Sequence, residues 1–286
     1  MMRSVGESRL GRGFLVLAPP QAGASTFGQA ELDSGRHARL MASSQRLRGR
    51  IYRQDGAIKD SQLTLDGRHT QPADDVSWHI LTVDRQDRVT ACLRYMVHPP
   101  CVRYSALGVS QVTAVQPGAF GSLAERAVIG ELEKASRLGF AFVELGGWVV
   151  GEELRCSTEA IRIVLITYAL SQLMGGAIGL TTATTRHSSS AILRRTGGTS
   201  LSDPWGAEVP SYFDPFYNCE MELLGFDSRH PNPRYSGWIR EFRTALLNVP
   251  IIVPSSCDSV TMGLCHLQEA LADSKTVTQH STSLVA

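Results

Sequence analysis

Apolar positions change their spacing several times along the chain, and each change marks an element. In "RHARLMASSQRLRGRIY" (36–52) they recur every three to four residues, which predicts a helix. "WHILTVDRQDRVTACLRYMVH" (78–98) alternates on either side of a polar turn at 85–87, which predicts an antiparallel hairpin. "SLAERAVIGELEKASRLG" (122–139) returns to helical spacing through Leu123, Ala127, Ile129, Leu132, Ala135 and Leu138. Ser122 and Glu125 read as its capping box, and Gly139 as its end. "FAFVELGGWVV" (140–150) is nearly all apolar, as in a buried strand, and its Gly-Gly pair predicts a bulge. "STEAIRIVLITYALSQLMGG" (157–176) reads as a helix opened by Ser157 or Thr158 and stopped by glycine. "AIGLTTATT" (177–185) reads as a strand, "SSSAILRRTGG" (188–198) as a short helix and "YNCEMELLGF" (217–226) as a strand. The remainder predicts one more helix and a short strand at 250–253.

Helices follow strands in the second half, so crossover helices on a mixed sheet are expected. The chain has 286 residues, which suits one large domain with extensions. Residues 1–34 begin in a stretch rich in Gly, Ala, Ser and Pro and are expected to be mobile. The folded body is expected at 35–254, and 255–286 as a tail with a short helix near Met262–Ala272.

Composition removes several classes. A formal net charge of +1 offers no basic stripe for nucleic acid. The six cysteines are scattered without a C-x-x-C pair, which argues against a zinc knuckle or redox motif and fits a reduced, cytoplasmic setting. His79, His98 and His187 lack ligand spacing, so no metal is expected. No apolar run is long enough to span a bilayer. "GRGFLVLAPPQAGA" (11–24) is too short in its apolar core for a secretory signal.

The strand–loop–helix "ELGGWVVGEELRCSTEAIRIVLITYAL" (144–170) carries the candidate chemistry. The first amides of a helix have no internal acceptor and sit at the positive end of its dipole, which suits phosphate. The chain has neither a Walker loop nor a Rossmann glycine turn. It offers instead Arg155 with the amides of Cys156, Ser157, Thr158, Glu159 and Ala160. This arrangement resembles the GNAT acyltransferase superfamily, whose loop reads roughly R-x-x-G-x-A and binds the phosphates of an acyl-CoA or of a carrier protein's pantetheine. Arg155, Thr158 and Ala160 fall on the motif, with Thr158 in place of its glycine. "SSSAILRRTGG" is similar to the family's N-x-x-A segment, with Ser188 in place of Asn and without the tyrosine that often serves as general acid. The strand "ACLRYMVH" and the preceding basic helix are similar to those of the acyl-homoserine-lactone synthases and long-chain N-acyl amino acid synthases. The resemblance covers about residues 78–226. It implies an α/β fold: a GNAT-like mixed central sheet of six or seven strands, flanking helices and a splayed bulge in the central strands.

It also implies an N-acyltransferase that moves an acyl group from acyl-CoA or acyl carrier protein to a small amine such as an amino acid. Attack is direct in a ternary complex, because no nucleophilic Cys or Ser is suitably placed and no cofactor stays bound. Glu144 stands where such enzymes often draw a base, or is a paired strand carboxylate. Gly147 or Trp148 would supply an amide for the thioester oxygen, with Trp148 a channel wall or a core residue. Arg94 would meet a substrate carboxylate, or pair with Asp84 or Asp87 across the hairpin. Tyr212 and Tyr217, in an aromatic run before the last long strand, line an acceptor pocket or pack the loop on the sheet. Cys156 is a bystander. His187 beside Ser188–Ser190 lacks the G-x-S-x-G elbow of a Ser/His hydrolase. Two rivals remain: a non-catalytic acyl-CoA-binding regulatory module of the same fold, and a lactone-synthase-like enzyme using S-adenosylmethionine.

Overall fold

The computed structural model describes residues 13–20, 22, 30–116 and 118–254. Their strands are β1 (Gly13–Leu17), β2 (Ala30–Leu32), β3 (Trp78–Val83), β4 (Val89–His98), β5 (Ala141–Val150), β6 (Ala177–Thr184), β7 (Thr199–Ser200), β8 (Tyr212–Asp214), β9 (Cys219–Asp227) and β10 (Ile251–Val253). They form one sheet in the order β2-β10-β1-β3-β4-β5-β6-β9-β7, with β8 paired to β9. Parallel pairs (β1/β10, β10/β2, β5/β6) mix with antiparallel ones, as the sequence pattern requires. The sheet has ten strands rather than six or seven. The additional ones are short, and short strands carry too little alternation to read.

The helices are α1 (Ser34–Gln54), α2 (Gly108–Ala114), α3 (Phe120–Leu138), α4 (Glu159–Leu173), α5 (Ser189–Thr196) and α6 (Ser236–Leu246). α1 starts where the Asp33 carboxylate accepts from Arg36 N at 2.8 Å. It lays Leu40, Leu47 and Ile51 on Leu15, Leu17, Leu81 and Val149. α4 connects the parallel strands β5 and β6 and is buried along most of its length, with Ile163, Val164, Leu165, Ile166 and Leu170 inside the main core. Side chains of that size contribute about 1.5–3 kcal/mol each when fully buried. α4 and α6 cover one face of the sheet, and α1 and α3 cover the other.

Three expectations are corrected. Residues 13–17, placed in a mobile segment, form β1, hydrogen-bonded between β10 and β3 with Leu15, Val16 and Leu17 fully buried. Five apolar residues among glycines and prolines are enough for a strand when both neighbours are already in place. Ser122 does not cap α3. The helix begins at Phe120 with Ala119 at its N-cap, and the Phe120 ring packs against Tyr212 at 4.9 Å. α2 is an additional helix, seven residues long, in a stretch where the sequence pattern predicts none. Residues 255–286 and the helix expected at 262–272 lie outside the described residues.

Candidate functional site

β5 and β6 pair only from Ala141–Ala177 to Leu145–Thr181. Beyond that point β5 follows β4, while β6 stays with β9 as far as Thr184. The two central strands therefore part, and Gly146, Gly147 and Trp148 line the start of the gap. The expected bulge is at this vertex. Cys92 pairs with Val149 and Arg94 with Gly146, so β5 carries one extra residue there. Gly147 absorbs it with a φ of 59°. Its carbonyl accepts from Cys92 Sγ at 3.4 Å, on the β4 side. Carbonyl and following N–H point oppositely across a trans peptide, so the Trp148 N–H is directed away from the Cys92 thiol. The Trp148 ring packs on the main core, and its Nε1 is buried without an acceptor.

Glycine at 146 and 147 lets two guanidinium groups approach this backbone. A Cβ on Gly146 would lie 3.0 Å from Arg94 Nη2, and one on Gly147 would lie 2.9 Å from Arg48 Nη1. Both arginines converge on Asp74. Arg48 and Asp74 are each 1% exposed and are joined at 2.7 Å, and Arg94 Nη1 reaches Asp74 at 3.1 Å. Burial pushes the Asp74 carboxyl up, but the hydrogen bonds and charges of the two arginines outweigh it and hold it well below the usual range. His79 Nε2 donates to the Asp74 carbonyl at 2.9 Å. Burial brings His79 and His69 down to about 4. Arg94 thus pairs with Asp74 and not with Asp84 or Asp87, which take Arg88 and Arg36 instead. Its Nη1 also donates to Gln71 Oε1 at 2.7 Å, whereas Nε and Nη2 have no partner among the described residues.

Glu144 shares the face of β5 that carries Phe142 and Gly146. Both of its oxygens are engaged. Oε1 accepts from Val109 N at 3.0 Å, and Oε2 accepts from Gly108 N at 3.0 Å and meets His98 Nε2 at 2.8 Å. The carboxylate therefore holds the first turn of α2. Burial raises its pKa, but His98 and the two amides more than offset this, so it stays below the ordinary carboxylate range. Among the described residues, His98 Nδ1 makes no hydrogen bond.

In the loop into α4, two of the amides expected to be free are taken: Ser157 N donates to Leu154 O and Glu159 N to Ser157 Oγ. Helical bonding starts with Arg162 N to Thr158 O, which leaves the amides of Ala160 and Ile161 without an acceptor. Cys156 has a φ of 63°, and residues 155–158 are all exposed. The two acid-bearing or hydroxyl positions are occupied differently from expectation. Ser157 Oγ already accepts from Glu159 N at 3.2 Å. The Glu159 side chain turns inward, accepting from Thr82 Oγ1 at 2.5 Å and Arg162 Nη1 at 2.9 Å. Arg155 lies 3.5 Å from Asp55 at the end of α1, where His187 Nε2 also comes within 3.2 Å.

The β8–β9 hairpin brings Tyr212 and Tyr217 over the same face as Arg94. The Tyr217 hydroxyl lies near Arg94 and Gln71, the residue that receives Arg94, and its ring meets Tyr52 at 5.9 Å. Tyr212 is buried against Phe120. Arg48, Asp74, Gln71, His98 and Asp214 carry no sequence signal that marks them as site residues. Asp74 has no local signal, since its partners stand 20 and 26 residues away. Alternation along 212–214 would have placed Asp214 beside Tyr212.

No family model and no curated protein matches the sequence. Solved structures do match in fold. One is BjaI, a CoA-dependent acyl-homoserine lactone synthase, solved with SAM and isopentyl-CoA. It has a TM-score of 0.50 and 13% identity over 90% of this chain and 99% of that one. The same enzyme with MTA matches equally. FeeM, an N-acyl amino acid synthase from uncultured soil microbes, has a TM-score of 0.44 and 12% identity over 69% of this chain and 88% of that one. The protein thus has the GNAT-like mixed α/β fold seen in the BjaI structure. Among the described residues no helix is long and apolar enough to cross a membrane.

Proposed function

We propose that the protein is an N-acyltransferase that carries an acyl group from a CoA thioester to the amine of a small acceptor bearing a carboxylate. The observation that carries this reading is the parting of β5 and β6, with the Trp148 N–H at its vertex and the open amides of the α4 loop beyond the end of β5. A pantetheine arm laid in the gap would put its phosphates at Ala160, Ile161 and Arg155 and its thioester beside Trp148. Isopentyl-CoA in the BjaI structure supports the choice of donor; a carrier protein's pantetheine would use the same gap. Arg94 offers Nε and Nη2 to the acceptor's carboxylate.

In the reaction the amine nitrogen bonds to the acyl carbon, the carbon–sulfur bond breaks, and CoA leaves as the thiol after its departing thiolate takes the second proton shed by the nitrogen. The oxyanion formed between these events is held by the Trp148 amide. The ammonium proton is lost before attack to His98 Nδ1, while Glu144 orients the ring through Nε2. Glu144 is in this role a positioning carboxylate, because its own oxygens are already taken.

That saturation is also what favours the second reading, a module that binds acyl-CoA without turnover. Thiol release separates them, measured with acyl-CoAs of several lengths and a panel of amino acids, with products identified by mass spectrometry. The enzyme reading expects an N-acyl product and, in Glu144→Gln, turnover reduced by about 100-fold or more with CoA affinity kept. Saturable CoA binding without thiol release from any pairing overturns it.

A further inference from the structure

The β8–β9 hairpin contains two buried polar atoms that have no hydrogen-bond partner among the described residues. Asp214 is 1% exposed. Its Oδ1 accepts from Phe216 N at 2.8 Å and Tyr217 N at 3.1 Å, which closes the turn. Its Oδ2 is buried and has no donor. The Tyr212 hydroxyl is likewise buried and without a partner. The two residues point the same way from β8, while Phe213 between them faces solvent. A buried carboxylate oxygen is costly without a donor, so a donor from beyond the described residues is called for.

The position of the pair suggests which donor. Tyr217 donates its N–H to Asp214, its hydroxyl lies near Arg94 and Gln71, and Gln71 accepts from Arg94. Arg94, a cation, and Asp214, an anion, thus both neighbour Tyr217. A basic amino acid carries the two charges that answer them, an α-carboxylate and a distal cation.

Resting on the acyl-transfer reading, we propose that Asp214 Oδ2, assisted by the Tyr212 hydroxyl, is the binding site for the distal ammonium or guanidinium of a basic amino acid acceptor. Arg94 holds that acceptor's carboxylate, and its α-amine is left to attack the thioester. Asp214 then acts on acceptor choice and leaves the donor untouched.

The test compares L-lysine and L-arginine with the apolar L-norleucine as acceptors for thiol release from an acyl-CoA. Asp214→Asn is the informative variant. Its carbonyl can still accept from the Phe216 and Tyr217 amides, while its NH2 puts a donor where Oδ2 was. The wild type is expected to prefer the basic amino acids by tenfold or more in kcat/KM. Asp214→Asn should erase that preference with the acyl-CoA KM unchanged, and Tyr212→Phe should reduce it several-fold. Equal use of norleucine by the wild type, or a preference that survives Asp214→Asn, overturns the proposal. If the wild type releases no thiol, calorimetric binding of lysine and arginine decides. Binding lost in Asp214→Asn sustains this site while the transferase reading falls, and absence of binding to the wild type sinks the site as well. Should Asp214→Asn fail to fold by circular dichroism, Tyr212→Phe decides the matter through the same measurements.

Discussion

Replacing Asp74 by asparagine leaves two guanidinium groups at the centre of the molecule without their counter-charge. Arg48 and Asp74 are both 1% exposed, so solvent cannot compensate. The carboxylate also accepts from Gln45 Nε2 at 3.1 Å and from Gln71 N at 3.1 Å. Removing one partner of such a pair costs about 3–5 kcal/mol, because the charge that remains is buried and unpaired. Set against a total of about 5–15 kcal/mol for a domain, that is a large share of the stability. At about 2–4 °C per kcal/mol for a domain approaching this size, the melting temperature should fall by about 6–20 °C. Urea unfolding at pH 7 and calorimetry measure both quantities. Pairing Asp74→Asn with Arg48→Met should recover part of the loss, since the second change removes one orphaned charge. A loss below about 1 kcal/mol, the range of an exposed ion pair, would refute the account of Asp74 as the anchor of both arginines.

Two further outcomes follow from the same geometry. Stability should decline as pH falls below about 6.5. His69 and His79 titrate near 4 when folded but near 6.5 when unfolded, so the unfolded chain binds protons first across that interval. Each contributes a slope approaching 1.4 kcal/mol per pH unit. Asp74 and Glu144, both depressed, add to the decline as pH drops below the ordinary carboxylate range, and a flat stability from pH 7 to pH 4 would contradict this. Gly147→Ala should cost about 2–3 kcal/mol, made up of about 1–2 for an alanine at a φ of 59° and the rest for moving Arg48 Nη1 from a Cβ at 2.9 Å. Thiol release should fall with it, and an unchanged urea midpoint would show that the bulge tolerates a side chain.

The long elements were legible because burial repeats along them. Alternation in 78–98 and the apolar runs of 141–150 and 159–173 leave little choice of period. The bulge was legible too, because two glycines interrupting a buried strand have few other uses. The short strands were not, since β7 and β8 have two and three residues and depend on β9 for their existence. Of the candidate site, the strand β5 and the loop into α4 could be placed, because a buried strand running into an apolar helix leaves its own pattern. The side chains that give the site its charge could not. Asp74 comes from an irregular polar stretch and meets helix α1 and strand β4 only after folding. Glu144 was visible as a strand carboxylate, but its capping of α2 depended on a seven-residue helix that no periodicity announced.

β10, the last described strand, lies between β1 and β2, which are among the first. During synthesis the ribosome therefore adds all the other described strands while β1 presents an open edge to the cell. Until residues 251–253 emerge, that hydrogen-bonding rim is available to any other nascent strand, and chaperone capture is the natural protection against such mispairing.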